Sequence, residues 1–281
     1  FPDEDGPEDI LRAAAEAVIE GPNQYPPMMG LPALRQAVAE HDRRFYGLDV
    51  DWQSEVMVTS GGAEALADCL FGLIDPGDEV VLIEPLYEMY LPLVRFAGGI
   101  PKLVRIEPPG WELPRRALEE AFSDRTKLIL LNSPHNPAGK VFDRDELEFI
   151  AQLVKDHDAY AVCDEVYEHL TFDDATHIPI ATLPGMADRT ITISSGGKTF
   201  SFTGWKVGWA CARPQLINAI RSVKQFLTFV NAAPFQPAIA VGLRLGDDYF
   251  TDFAATLQGK RDRLNAGLVN AGFTVYSPQG T

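Results

Sequence analysis

Short apolar runs of strand length recur along the chain from residue 55 to residue 211. They lie at Glu55–Thr59, Glu79–Ile83, Lys102–Ile106, Lys127–Leu131, Ala159–Cys163, Thr190–Ser194 and Lys206–Cys211. Several of these runs are apolar at consecutive positions, which is typical of strands that helices cover on both faces. Because segments of helical length separate most of the runs, the pattern predicts an α/β domain with a mostly parallel central sheet.

The segments between these runs, and those that precede and follow them, carry helical patterns. We predict helices at Leu11–Glu20 (closed by Gly21-Pro22), Leu31–Tyr46, Ala63–Leu73, Pro114–Phe122 and Asp143–His157, and a loop at Asn23–Gly30. After Arg213 the pattern changes to Pro214–Leu245, interrupted by prolines at 233–237, and to Tyr249–Ala271. The segment Gly272–Tyr276 alternates like a strand, which predicts the start of a small α+β domain.

We therefore divide the chain into three parts. Residues 1–30 form an N-terminal segment with a dimer-contact loop, residues 31–213 form the large domain, and residues 214–281 form an interdomain helix and a partial small domain. The chain opens abruptly at Phe1-Pro2-Asp3 and stops at Thr281, directly after the last strand-like segment. We expect from these two ends that the small domain is truncated.

The charge balance narrows the classes of partner. The 281 residues include 40 acidic and 24 basic side chains, which gives a net charge of -16. Such a surface repels nucleic acid and anionic lipid, and no apolar run approaches the roughly 20 residues of a spanning helix. Cys69, Cys163 and Cys211 are widely spaced within apolar stretches. This favours buried, reduced thiols in a cytoplasmic protein and offers no spacing typical of a metal site.

Two segments place polar groups where a strand ends. In Thr59–Leu66 a strand is followed by two glycines and an Ala-rich helix, so free N–H groups could bind an anion; a tight turn explains the glycines equally well. In Leu131–Gly139 two asparagines, Asn132 and Asn136, follow an apolar strand. Ligands bind at that edge of open α/β sheets. We interpret His135 as a loop residue rather than a catalyst.

Two further residues suggest chemistry. Asp164 ends an apolar strand and could accept a hydrogen bond from a protonated heterocyclic nitrogen, or could cap the following turn. Lys198 lies among Gly, Ser and aromatic residues, with no charged neighbour before Lys206. Partial burial would lower the pKa of its amine and make it a nucleophile for a carbonyl. The segment Gly196–Thr199 lacks the first glycine of a nucleotide-binding P-loop, so we reject that interpretation.

Taken in order, these segments resemble the class I/II aminotransferases of pyridoxal-phosphate (PLP) fold type I. The likeness is strongest to the kynurenine, methionine and succinyldiaminopimelate branch and covers essentially the whole chain. The segments that carry it are Asn23–Pro27 with Gly30, Ser133–Gly139, Asp164–Tyr167 and Ser195–Phe200 continuing to Gly204-Trp205-Lys206. The resemblance implies an aspartate-aminotransferase-like fold and the cofactor pyridoxal 5'-phosphate.

The resemblance also implies roles for individual residues. Lys198 is expected to hold the cofactor as a Schiff base and to move the proton of the substrate. Asp164 is expected to pair with the pyridine nitrogen, and Tyr87 to stack on the ring. Asn136 and Tyr167 are expected to bind the phenolic oxygen. The phosphate is expected to lie on the backbone of Gly62, Ala63 and Glu64, with Ser195 and Lys206 closing around it.

Tyr25 matches a tyrosine that reaches the phosphate of the neighbouring subunit, so the resemblance implies a homodimer with shared active sites. Together with Asn136, Tyr25 is also expected near the substrate. Two features depart from the family pattern. Lys206 stands where many relatives have arginine, and no motif before Thr281 matches the arginine that binds the substrate carboxylate.

The implied reaction is ping-pong transfer of an amino group from an L-amino acid to a 2-oxo acid. The nearest alternative is a cysteine-conjugate β-lyase that uses the same Lys198. An aminotransferase-like domain of a transcription regulator is disfavoured by the net charge of -16 and by the lack of a helix-turn-helix segment. An inactive fragment that survives as a folding or assembly unit is a further alternative.

Overall fold

The computed structural model describes residues 5–21 and 23–281. The predicted helix-closing Pro22 and the opening residues Phe1–Glu4 lie outside this part of the chain. The strands are β1 (Val56–Thr59), β2 (Glu79–Glu84), β3 (Ile100–Arg105), β4 (Thr126–Asn132), β5 (Tyr160–Asp164), β6 (Thr190–Ser195) and β7 (Gly208–Cys211). The ends of the seven strands predicted between residues 55 and 211 agree with these bounds to within two residues.

The helices are α1 (Glu8–Glu20), α2 (Pro32–Tyr46), α3 (Gly61–Leu73), α4 (Tyr90–Phe96), α5 (Arg115–Ala121), α6 (Arg144–Asp156), α7 (Gly196–Thr199), α8 (Pro214–Leu227), α9 (Phe235–Leu243) and α10 (Asp247–Asn270). Two short 3₁₀ turns add to them, at Ile180–Thr182 and Thr203–Trp205. Helices α4 and α7 are too short to leave a period in the sequence, and they were not predicted. No helix within the described ranges combines the length and apolarity needed to cross a membrane.

The strands form a single sheet in the order β1-β7-β6-β5-β4-β2-β3, which confirms the predicted mostly parallel sheet. Only β7 runs antiparallel to its neighbours, β1 and β6. The carboxyl ends of the other six strands therefore share one edge. Register brings Asn132 beside Asp164 at that edge, and Gly208 of β7 beside both Thr59 and Ser195.

Side-chain alternation along the strands explains the layers. Leu128 and Leu130 of β4 pack with α3 and α8 on one face of the sheet, whereas Ile129 and Leu131 pack with α5 and α6 on the other. Successive residues of a strand point to opposite faces, so a strand that is apolar throughout requires helices on both. A third cluster joins α1, α2 and α9 to β1 and β7. The three cysteines are free and buried, as predicted.

The segment Pro214–Leu245, predicted to be helical with an interruption at 233–237, forms two helices. The break at 228–234 begins five residues before the predicted interruption, and Phe229 and Ala232 have positive φ angles of 64° and 46°. A right-handed helix cannot include such residues. Pro237 lies inside α9 at its third position, where a backbone N–H has no partner within the helix.

The strand predicted at Gly272–Tyr276 is wrong. Residues 273–278 have irregular backbone, and Phe273 and Tyr276 are exposed without a neighbouring strand. A strand needs another strand to bond its N–H and C=O groups, and a local pattern cannot supply one. The chain returns to the large domain only afterwards, where the Gln279 N–H donates to the Gly139 carbonyl at 2.7 Å and Gly280 forms an isolated bridge with Thr171.

Asp68 on α3 is fully buried, and neither carboxylate oxygen has a hydrogen-bond partner among residues 5–21 and 23–281. Burial, with a contribution from the Glu64 charge, raises the pKa of Asp68 to about 8. The native state therefore keeps a proton that the unfolded chain loses above pH 4, so this group makes the protein progressively less stable as the pH rises from about 4 to 8.

We expect Asp68→Asn to flatten that pH dependence, because the amide does not ionise. At pH 8 the variant should be more stable than the wild type by on the order of 2 kcal/mol, given about 1.4 kcal/mol per pKa unit and the residual cost of burying an amide. Urea unfolding at pH 5 and pH 8 measures the difference. Equal pH dependence in the two proteins would show that Asp68 is ionised and paired.

Candidate active site

A cavity of about 530 Å³ opens at the carboxyl edge of the sheet. Its volume lies within the range of small-molecule and cofactor sites. It brings together residues that lie far apart in the sequence and that were predicted as site residues, namely Gly62, Ala63, Tyr87, Asn136, Asp164, Tyr167, Ser195, Lys198 and Lys206. The agreement follows from the topology, because the segments after β1, β2, β4, β5 and β6 all reach this edge.

Lys198 lies on the one-turn helix α7, directly after β6, and its ammonium is 5.5 Å from the ring centroid of Tyr167. Burial lowers the pKa of Lys198, and the positive charge of Lys206 lowers it further, whereas the Asp164 carboxylate opposes this shift. A lysine with a lowered pKa keeps more of its amine neutral near neutral pH. It is therefore better prepared than a surface lysine to attack a carbonyl carbon.

Asp164 is the last residue of β5 and is 5 % exposed. Its Oδ2 accepts a hydrogen bond from the Tyr90 hydroxyl at 2.8 Å, and its Oδ1 accepts one from the Val166 N–H at 3.4 Å. Burial raises the pKa of this carboxyl, and the two hydrogen bonds together with the Lys198 charge oppose the rise. The Asp164 carboxylate is therefore largely shielded from solvent, and a cationic hydrogen-bond donor beside it would stabilise its charged form.

Asn132 connects the two neighbouring strand ends. Its amide donates to the Asp164 carbonyl at 2.8 Å, and its Oδ1 accepts from the Asn136 N–H at 2.7 Å. Asn136 in turn donates to the Tyr167 hydroxyl at 3.4 Å. The loop after β4 is therefore tied to the loop after β5, and the Asn136 amide and the Tyr167 hydroxyl face the cavity together.

The N-terminus of α3 forms the other end of the cavity. Gly61 has φ 71°, and a Cβ atom there would lie 3.1 Å from the Lys206 ammonium. A Cβ on Gly208 would lie 2.6 Å from the Gly61 carbonyl carbon, so the start of β7 and the start of α3 touch through glycines alone. Free N–H groups at a helix start, next to an ammonium, make a suitable anion site.

Of the predicted residues, Glu64 and Tyr25 do not line this cavity; the prediction for Glu64 concerned its backbone, and that for Tyr25 the phosphate of a neighbouring subunit. The Glu64 side chain turns back from the helix start and accepts hydrogen bonds from the Ser60 N–H and the Thr228 hydroxyl. Tyr25 is 81 % exposed, and its ring meets that of Phe229 edge-on at 5.7 Å between centroids. It lines a separate surface groove formed by residues 23–26 and 230–233.

Sequence reasoning missed several lining residues, among them Tyr90, Asn132, Glu88 and Thr203. Tyr90 carries no signal of its own in the sequence, because only the fold brings its hydroxyl to Asp164, 74 positions away. Asn132 did carry a signal, since a polar residue ended an otherwise apolar strand. His135 lies beneath the loop, buried and outside the cavity, and burial lowers its pKa to about 4.

A buried cluster of His41, Glu168 and His169 has ligand atoms close enough to hold a metal ion. These atoms already bond one another or nearby hydroxyls. The two Nε2 atoms are 2.7 Å apart, and Glu168 accepts from the Ser194 hydroxyl at 2.5 Å and the Tyr46 hydroxyl at 2.6 Å. Their hydrogen bonds tie α2 to the segment after β5 and to the end of β6, close in sequence to Asp164 and Lys198.

Comparison with known proteins gives a consistent picture. The model of the family "Aminotransferase class I and II" matches residues 2–281. The probable N-succinyldiaminopimelate aminotransferase of Mycobacterium tuberculosis is 47% identical over all of this chain and 71% of its own length. The kynurenine–oxoglutarate transaminase of Dictyostelium discoideum is 39% identical over all of this chain and 69% of its own length. The solved structure of the M. tuberculosis succinyldiaminopimelate enzyme superposes with a TM-score of 0.98, covering 100% of this chain and 74% of that one.

The charges around Lys198 make its amine reactivity predictable. In ligand-free protein, Asp164→Asn should lower the pKa of Lys198, because a carboxylate that raises it is removed. Lys206→Met should raise that pKa, because a repelling ammonium is removed. Labelling with an amine reagent between pH 7 and 10, followed by peptide mass spectrometry, measures both shifts, with Lys155 as an internal reference. Shifts of the opposite sign would contradict this account of the site.

Proposed function

Because the chain belongs to the class I and II aminotransferases, a family of PLP-dependent enzymes that transfer amino groups, we propose that Lys198 is the lysine to which the cofactor is attached. The observation that carries the proposal is the position of Lys198, part-buried beside Asp164 and Tyr167 in one cavity. The fold agrees with this family, since the chain has the aspartate-aminotransferase-like arrangement of PLP fold type I. Residues 31–213 are the part that we assign to cofactor binding.

The donors and acceptors of the cavity fit pyridoxal phosphate in three places. The glycine-lined start of α3 leaves room that a Cβ would fill, and its N–H groups suit a phosphate. The buried Asp164 carboxylate suits a protonated ring nitrogen. The Asn136 amide and the Tyr167 hydroxyl suit a phenolic oxygen. Gly62, Ala63, Ser195 and Lys206 would hold the phosphate, and Tyr87 would pack against the ring.

When bound, pyridoxal phosphate supplies an electron sink that makes a proton on the substrate α-carbon removable. The neutral amine of Lys198 is the base that accepts this proton at its Nζ and later returns it. Asp164 would pair with the pyridine nitrogen and favour its protonated form, because an opposite charge offsets the cost of burying the carboxylate. Tyr167 and Asn136 orient the ring by hydrogen bonds.

The reaction we propose is the ping-pong transfer of an amino group from an L-amino acid to a 2-oxo acid. The relatives that the chain matches are named for transamination, which supports transfer over β-elimination. An amino-acid panel with 2-oxoglutarate or pyruvate as acceptor tests the proposal. We expect formation of the 2-oxo acid of the donor, and a loss of at least about 1,000-fold in Lys198→Ala.

A matched variant, Lys155→Ala, should keep the wild-type rate, because Lys155 lies at the end of α6 away from the cavity. Release of pyruvate and ammonia from cysteine conjugates, at a higher rate than any transamination, would favour the β-lyase instead. Wild-type activity in Lys198→Ala would contradict the assignment of the lysine.

We further propose that the protein is a homodimer in the cytoplasm, with Tyr25 reaching the phosphate of the partner subunit. Tyr25 lies next to a patch of exposed apolar side chains formed by Phe226, Leu227 and Phe229. Apolar patches on this scale mark interaction sites in soluble proteins. The three free, buried cysteines support a reducing compartment.

Sedimentation of the wild type and two variants tests the dimer. Phe226→Asp should dissociate it and weaken PLP binding, because a charge would be buried in the contact. Phe96→Asp is the matched control, since Phe96 is equally exposed but lies on α4, which contacts β3 at the opposite end of the sheet from β1. A monomeric wild type that binds PLP tightly would contradict the shared site.

A further inference from the structure

Lys224 is a lysine with no exposed surface that the proposed mechanism does not use. It lies on α8, and its ammonium contacts three oxygen atoms. These are Glu64 Oε2 at 3.2 Å, the Thr228 hydroxyl at 3.0 Å and Asn231 Oδ1 at 3.4 Å. Burying an ammonium has a large desolvation cost unless the ammonium is paired, so the position of Lys224 in the interior needs an explanation.

Its partner Glu64 lies in the first turn of α3, the helix whose start forms the anion site. The Glu64 carboxylate accepts the Ser60 N–H, immediately before the glycines that line the cavity. An uncompensated negative charge there would repel a phosphate and compete with it for the helix N-terminus. At pH 7 Asp68 adds no second charge, because burial raises its pKa to about 8. The Lys224 ammonium therefore balances the charge of Glu64 alone.

Asn231 extends the network to the other side of the anion site. Lys224 holds its Oδ1, and its Nδ2 donates to the Thr59 carbonyl at 2.9 Å and to the Lys206 carbonyl at 3.4 Å. Lys206 has a positive φ of 54°, so its backbone needs outside contacts to hold this conformation. The backbone of Lys206, whose ammonium lies at the anion site, and the start of α3 are therefore both held by the buried ammonium of Lys224.

We propose that Lys224 is a positioning residue for the phosphate of the cofactor. It neutralises Glu64 at the start of α3 and, through Asn231, fixes the backbone of Lys206. The inference rests on the proposed function, because it assigns the anion site to the phosphate of PLP. It concerns affinity for the phosphate, and it predicts little effect on the rest of the cofactor.

Equilibrium titration with PLP and with pyridoxal, which lacks the phosphate, separates these effects. We expect Lys224→Met to weaken PLP binding about tenfold and pyridoxal binding less than about threefold, as the loss of one nearby charge predicts. Glu64→Gln should bind PLP at least as tightly as the wild type. The double variant Glu64→Gln/Lys224→Met should return to within about threefold of wild-type affinity, because the charge balance is restored.

Lys102→Met is the matched control, since it removes an ammonium that pairs with buried Glu79 at 3.1 Å on the far strands β2 and β3. Circular dichroism checks that each variant is folded. If Lys224→Met fails to fold, the double variant decides: near-wild-type affinity supports the charge balance, and a tenfold loss contradicts it.

The role of Lys224 would be overturned if Lys224→Met weakened the binding of PLP and of pyridoxal equally. It would also be overturned if Glu64→Gln weakened PLP binding as much as Lys224→Met does. In either case the ion pair between Lys224 and Glu64 would have only a structural role. Unchanged PLP affinity in folded Lys224→Met would also overturn it. A wild-type protein that binds neither compound would instead overturn the proposed function itself.

Discussion

Burying the Asp164 carboxylate at the end of β5 has a free-energy cost, and much of the cavity is arranged to offset it. Tyr90 donates to the carboxylate from α4, the Val166 N–H donates from the following loop, and the Lys198 ammonium faces it. A buried charge that loses its partner typically destabilises a protein by about 3–5 kcal/mol. This constraint explains why Lys198, Tyr90 and Asp164 converge from three separate segments. It also explains why a cationic ring nitrogen would stabilise the Asp164 carboxylate.

The anion site depends on a second set of buried charges. Glu64 caps the start of α3 from inside the protein, and Lys224 pairs with it from α8. The break between α8 and α9 supplies Thr228 and Asn231 to the same network, so the positive φ angles at 229 and 232 have a structural purpose. The surface next to Tyr25 and the end of the cavity at the start of α3 are therefore held by the same segment.

Much of this architecture could be predicted from the sequence, for reasons that differ between elements. Strands such as β4 can be recognised in the sequence because a run of four consecutive apolar residues, Leu128–Leu131, fits a strand that helices cover on both faces. Once the sheet is parallel, residues that end strands, such as Asn132 and Asp164, must share an edge. The side-chain direction of Glu64 could not be predicted, because it depends on Lys224, 160 positions away. The strand at Gly272–Tyr276 failed for the same reason, since its local alternation finds no neighbouring strand.

The role of Lys198 can be tested by reducing the PLP-loaded protein with borohydride and mapping the modified peptides. We expect a single pyridoxyl adduct, located on Lys198, and no adduct in Lys198→Ala. An adduct on another lysine, or wild-type protein that traps none at saturating PLP, would contradict the assignment of Lys198 as the residue that holds the cofactor.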